Sequence, residues 1–150
     1  MSQSVAKPEF LYVLRQLIRC TQAFERFSGA HVKTMGLTES QFDVIATLGN
    51  TDGMTCKELG DRTLITKGTL TGVLDRMAAR GLISRQADAD DARRTYIALT
   101  RKGSILFADV FPVHVAHLQR AFDRLSIDEL NHLHVGLSTL RAAFEKEHAR

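Results

Sequence analysis

"KGTLTGVLDRMAARGLISRQADADDARRTYIALT", residues 67–100, is the stretch on which the reading of the chain turns. Its first part has a helical period. Leu70, Val73, Leu74 and Met77 recur at i, i+3, i+4 and i+7, the apolar stripe of one helix. Gly81 is placed to stop that helix in a left-handed conformation. Two short segments, "LISRQ" and "RTYIALT", then have strand character, and the alternation in the second predicts that Ile97 and Leu99 face inward. Between them "DADDARR" packs three acids and two arginines into what reads as the tip of a hairpin.

Upstream, Thr55 and Glu58 have the spacing of a capping box and open a short helix that ends near Arg62. After the turn "TLI", Thr66 is placed to cap the longer helix. A short helix, a tight turn and a longer helix make a helix-turn-helix, with Gly60 leaving room for the crossing. The two-stranded ribbon that follows makes it a winged helix-turn-helix, mainly α with a small β-hairpin wing.

The outer face of the longer helix carries Gly68, Thr71, Gly72, Asp75, Arg76 and Ala79, with Lys67 and Thr69 near its start. Each glycine there lowers helix stability by about 1 kcal/mol relative to alanine. Either the two glycines pack under another helix, or something approaches this backbone closely. The wall of a DNA major groove would do so, with Thr66, Lys67, Thr69 and Thr71 bonding bases or phosphates. A wing arginine would then enter the adjacent minor groove, where the potential is most negative. Asp91 lies two residues from Arg93 and can hold its guanidinium extended. Asp88 and Asp90 suit the turn itself, through side-chain bonds to the backbone.

Charge agrees with this placement. The chain's 150 residues carry a net +3. Residues 57–102 hold ten Lys and Arg against six acids, whereas residues 1–56 balance and residues 103–150 are one short. A basic middle on neutral flanks is the footprint of a nucleic-acid binder.

The flanks read as helices. From Pro8 to about Phe27, the residues Phe10, Leu11, Leu14, Leu17, Ile18, Phe24 and Phe27 form an apolar face broader than one surface helix needs. Thr38 and Gln41 cap a second helix with Phe42, Ile45 and Leu48 as its buried stripe. Thr100 caps a long helix, bent at Pro112, with a seam of Phe111, Val115, Leu118, Phe122 and Leu125. Ser126 and Glu129 cap a last one, seamed by Leu130, Leu133, Leu137, Leu140 and Phe144. These seams either pack on each other or, with the surplus apolar face at the opposite end of the chain, build an intertwined homodimer. The second solution uses all three surfaces.

Other classes find little support. The two cysteines and six histidines lack metal-ligand or disulfide spacing, and no cofactor is implied. No G-x-S-x-G, HExxH, phosphate-loop or dinucleotide motif occurs, which argues against an enzyme. An interaction adaptor would explain the seams but not the basic helix and wing. Apolar runs are too short to span a bilayer, and "MSQSVAKPEF" lacks a signal-peptide core, so a cytoplasmic protein is expected. Free cysteine is most often buried, so Cys20 reads as a core residue and Cys56 as a spacer in its capping box.

"LTESQFDVIATL", "ELGDRTLITKGTLTGVLDRMAARGLISR" and "DDARRTYIALTRKG" together resemble the multiple-antibiotic-resistance regulator (MarR) family over residues 37–103. The wing pattern Asp-x-Arg, three residues, then hydrophobic-x-Leu-Thr and a later Gly falls on Asp91, Arg93, Ile97, Leu99, Thr100 and Gly103. The resemblance implies one domain over 1–150: a DNA-binding lobe at 37–100 and a helical dimerisation platform from 1–36 and 101–150. It also implies a homodimeric transcription factor, usually a repressor, on a pseudo-palindromic double-stranded operator. On the helix, DNA contact then falls to Thr66, Lys67, Gly68, Thr69, Thr71 and Arg76. On the wing it falls to Arg93 and Arg94, supported by Asp91. The Asp75–Arg76 pair would assist backbone contact, and Ala92 stands where many members carry another arginine. Members often release DNA on binding a small phenolic or aromatic anion, in a pocket that no short motif marks here. Organic-hydroperoxide regulators within the family sense oxidants through a first-helix cysteine. Cys20 occupies that helix, without their tyrosine-rich surroundings.

Overall fold

The computed structural model describes residues 8–149. Six helices and three strands follow one another: α1 (Phe10–Thr34), α2 (Glu39–Leu48), β1 (Met54–Thr55), α3 (Cys56–Arg62), α4 (Lys67–Ala79), β2 (Ile83–Ala87), β3 (Thr95–Leu99), α5 (Arg101–Phe122) and α6 (Ile127–His148). The chain divides into two compact units between His114 and Val115, inside α5.

The first unit holds the core. Val44, Ile45 and Leu48 of α2, Leu59 of α3, and Leu70, Val73, Leu74 and Met77 of α4 are all buried. The helix stripe read from residues 67–79 is thus its inner face. Ile83 and Ile97 close the core from the sheet, while Leu99 is half-buried. Burial of each such side chain contributes about 1.5–3 kcal/mol.

Local signals set the boundaries. Thr38 with Gln41 and Thr55 with Glu58 form complete capping boxes. Gly81 (φ +70°) ends α4 by donating its N–H to Ala78 O, while Leu82 donates to Met77 O. This double bond pattern satisfies two carbonyls that the helix leaves open and demands a left-handed residue. Thr100 caps α5, accepting from the Gly103 N–H at 3.1 Å. At Gly103 the first turn of α5 lies against the Leu82 carbonyl oxygen so closely that no Cβ would fit.

The sheet has order β1-β3-β2, entirely antiparallel. Ile83 pairs with Leu99 and Arg85 with Ile97, while Met54 pairs with Ile97 from the other side. β1 is an addition to the ribbon read from the sequence. Three further differences matter. α1 continues past Phe27 to Thr34, and its last turns bury Ser28, Gly29 and Val32. At Gly29 a Cβ would stand 2.5 Å from Glu39 Oε1, the movable end of the first side chain of α2. Cys20 is exposed rather than in the core, since every residue from Phe10 to Phe27 except Leu17 is exposed. Gly60 is not a necessary gap, because a Cβ there would make ordinary contact with Leu70 at 3.6 Å.

In the second unit α5 continues to Phe122; the helix runs unbroken through Pro112. Ser126 and Glu129 cap α6 as the spacing predicts, and none of its described residues is buried. Along the two seams Leu118, Leu125, Leu130 and Leu140 are half-buried, whereas Val115, Phe122, Leu133, Leu137 and Phe144 stay exposed.

Candidate nucleic-acid interface

α4 begins where polar chemistry is concentrated. Its first turn contains no acid, so the partial positive charge of the helix N-terminus adds to Lys67 without compensation. Thr66 occupies the N-cap, but its hydroxyl does not cap. It donates to Thr69 Oγ1 at 3.0 Å, joining two of the residues singled out above. Thr66, Lys67, Gly68, Thr69, Thr71 and Arg76 are all exposed, and Gly72 is half-buried.

The two glycines separate the competing readings of this face. A Cβ on Gly68 would meet nothing within 4 Å. One on Gly72 would meet only the flexible end of Arg76, with Nη1 at 3.4 Å. Neither packs under another helix among the described residues. Their backbone lies open on the outside of the lobe.

Asp75 has a partner within the lobe: its carboxylate takes a 2.7 Å ion pair from Arg85 of β2. The bond ties the outer face of α4 to the first strand of the wing. Arg85 was not singled out in the sequence; it is ten residues from its partner, beyond any helical spacing.

At the wing tip each acid serves the backbone. Asp88 Oδ1 accepts the Asp90 N–H at 2.9 Å, the side-chain turn expected of it. Asp91 Oδ1 accepts the Arg93 N–H at 3.0 Å. Its other oxygen lies 3.9 Å from Arg94 Nε, so the carboxylate faces the Arg94 guanidinium and not that of Arg93. Asp88 N–H to Arg94 O and Arg94 N–H to Asp91 O, at 2.9 and 2.8 Å, close the loop. Both arginines are exposed.

Below this surface, α3 starts at a strongly charged cap. The Thr55 backbone N–H and hydroxyl both donate to the Glu58 carboxylate, holding it below the usual carboxylate range. The Ser126 backbone N–H and hydroxyl do the same for Glu129 at the start of α6.

One arrangement of polar side chains was invisible in the sequence. His114 of α5 is buried, its Nε2 3.1 Å from Ser28 Oγ and its Nδ1 2.9 Å from His31 Nδ1. Its ring stacks near His31 and meets Phe42 edge-on at 4.5 Å. Ser28 and His114 are only 8% and 3% exposed. The arrangement fastens α1 and α2 to α5. No group of three or more metal-ligating side chains occurs among the described residues, and no described helix is long and apolar enough to cross a membrane.

A family model described as the MarR family matches residues 35–94, which contain α2, α3, α4, β2 and the wing tip. The chain is 33% identical to the transcriptional regulator HosA of Escherichia coli O157:H7, covering 62% of this chain and 69% of that protein, and 29% identical to the uncharacterised HTH-type transcriptional regulator YkoM of Bacillus subtilis, covering 89% and 86%. Among solved structures, AbsC, a MarR family transcriptional regulator from Streptomyces coelicolor, superposes with a TM-score of 0.84 at 22% identity, covering 97% and 99% of the two chains. BpsR of Bordetella bronchiseptica, whose DNA binding is regulated by 6-hydroxynicotinic acid, gives 0.80 at 24% identity, covering 91% and 97%.

Proposed function

Because this chain belongs to the MarR family of DNA-binding transcriptional regulators, we propose that it acts as a homodimeric, ligand-responsive repressor on a pseudo-palindromic operator. The observation that carries the reading is the open outer face of α4. Among the described residues, Gly68 in its first turn and Gly72 in its second meet no other helix, and the first turn carries a lysine and no acid. A groove wall can approach such a backbone to within van der Waals contact, and the threonines and Lys67 then lie within reach of phosphates and base edges. Arg76 follows the same face. Arg93 and Arg94 extend the contact into the neighbouring minor groove, from a loop that Asp91 shapes.

A second copy supplies the other half-site. Support comes from α1, where Phe10, Tyr12, Val13 and Ile18 are each at least half exposed, and from the uncovered seam residues of α6. A two-fold pair of lobes reads half-sites about one helical turn apart. Residues 1–36 and 101–150 then serve as platform and 37–100 as reading lobe. The first seven residues and Arg150 lie outside those described.

Release by a small phenolic or aromatic anion is supported by analogy with BpsR and its aromatic acid. A reading of Cys20 as an oxidant sensor has one observation in its favour, its exposure. The test is to recover and sequence the duplexes the protein retains from its own genomic DNA. Enrichment of an inverted repeat supports the proposal; fragments without a shared sequence refute it.

A further inference from the structure

We infer that Asp43, on α2, is a positioning residue for DNA reading, clamping the turn that launches α4; this rests on the DNA-binding reading above. The Asp43 carboxylate accepts the Leu64 N–H at 3.0 Å, across 21 residues of sequence. Leu64 opens the turn between α3 and α4, and three residues later α4 starts. Its own side chain cannot anchor it, being 96% exposed. The flanking residues are held otherwise: the Thr63 hydroxyl and N–H both donate to Leu59 O, and Ile65 packs against the core. At Leu64 itself the restraint is the bond to Asp43.

Electrostatics sharpens the point. A half-buried carboxylate beside a DNA-reading surface repels phosphate, and among the described residues no ion pair neutralises it. By charge alone, Asp43 weakens DNA binding. Its geometric effect has the opposite sign. A fixed turn holds the first turn of α4 in one pose, which matters for base-specific contacts far more than for non-specific phosphate contact.

The experiment measures affinity for two duplexes: one selected from a randomised pool by the wild-type protein, and a scrambled duplex of the same composition. Asp43→Ala is expected to lower the selected-to-scrambled affinity ratio about tenfold, the scale of one charge-assisted hydrogen bond, without weakening scrambled binding. Asp43→Asn keeps an acceptor oxygen and should retain the ratio. Leu64→Pro removes the N–H from the other side and should lower the ratio as Asp43→Ala does. Thr63, before it, already has the extended backbone (φ −90°, ψ 159°) that a following proline requires. Hydrogen exchange gives a readout without DNA: the Leu64 amide should exchange faster in Asp43→Ala than in wild type or Asp43→Asn. An unchanged ratio in Asp43→Ala, or identical behaviour of the Ala and Asn variants, overturns the clamp. Failure of the wild-type protein to prefer its selected duplex overturns the DNA-reading role beneath it.

Discussion

Replacing Gly72 with alanine sets protein stability against DNA binding, and the structure predicts opposite signs for the two. Gly72 lies mid-helix in α4, with a backbone outside the positive-φ region, and its added Cβ would meet only the movable end of Arg76 at 3.4 Å. Alanine then restores helix propensity and restricts the unfolded chain, stabilising the protein by about 0.5–1 kcal/mol. For a domain of this size that raises the melting temperature by roughly 1–4 °C. Gly68 sits in the first turn, where intrahelical bonding is incomplete, so its gain is smaller. Bound DNA changes the balance. A methyl group forced into a close-packed contact costs about 1–3 kcal/mol, roughly a 5- to 150-fold loss of affinity. Thermal melting and titration of a fluorescent duplex measure the two effects on the same preparation. Alanine variants that are more stable and bind DNA as tightly as wild type would falsify the idea that DNA approaches this face.

Three further outcomes follow from the geometry. Arg93→Ala should cost roughly 1–3 kcal/mol in operator binding, and Asp91→Ala should also weaken it, because the loop bond to the Arg93 N–H outweighs a screened surface charge; the two losses should be less than additive in a double-mutant cycle, and tighter binding by Asp91→Ala would refute the loop-shaping role. Gly103→Ala should destabilise the lobe by about 1–3 kcal/mol, since its Cβ would collide with the Leu82 carbonyl, and an unchanged urea midpoint would contradict the packing. Glu58 and Glu129 have folded pKa values below the ordinary 4.5, so the unfolded chain binds more protons as pH falls through that region. Their stabilising contribution is full above the ordinary value and is lost below it; Glu129→Gln should therefore flatten the acid limb of urea midpoint against pH, and an unchanged limb would refute the cap's part in it.

Much of the reading lobe was legible because its signals are local. The α4 stripe, the capping boxes and Gly81 each act within a few residues, so periodicity and spacing expose them directly. What escaped depends on distant partners. Strand β1 is two residues long, too short for any alternation, and Thr55 within it also caps α3. Arg85 acquires its role only when the wing folds back on α4. Ser28 and His31 lie more than eighty residues from His114, and only the packing of α1 against α5 joins them. Asp91 illustrates a partial success: the residue matters to the tip, but through the Arg93 amide and the Arg94 side chain. Cys20 shows the limit of burial statistics, since a helix whose apolar face is uncovered within one chain exposes whatever lies on it.

The most direct test of the central claim is titration of the wild-type protein against its selected duplex and a scrambled one, each at two salt concentrations. A sequence-specific regulator reading through α4 and the wing should bind the selected duplex about a thousandfold or more tightly, with affinity falling steeply as salt rises and Lys67→Ala reducing the slope by about one unit. Equal affinity for both duplexes, or binding that does not respond to salt, would contradict the account.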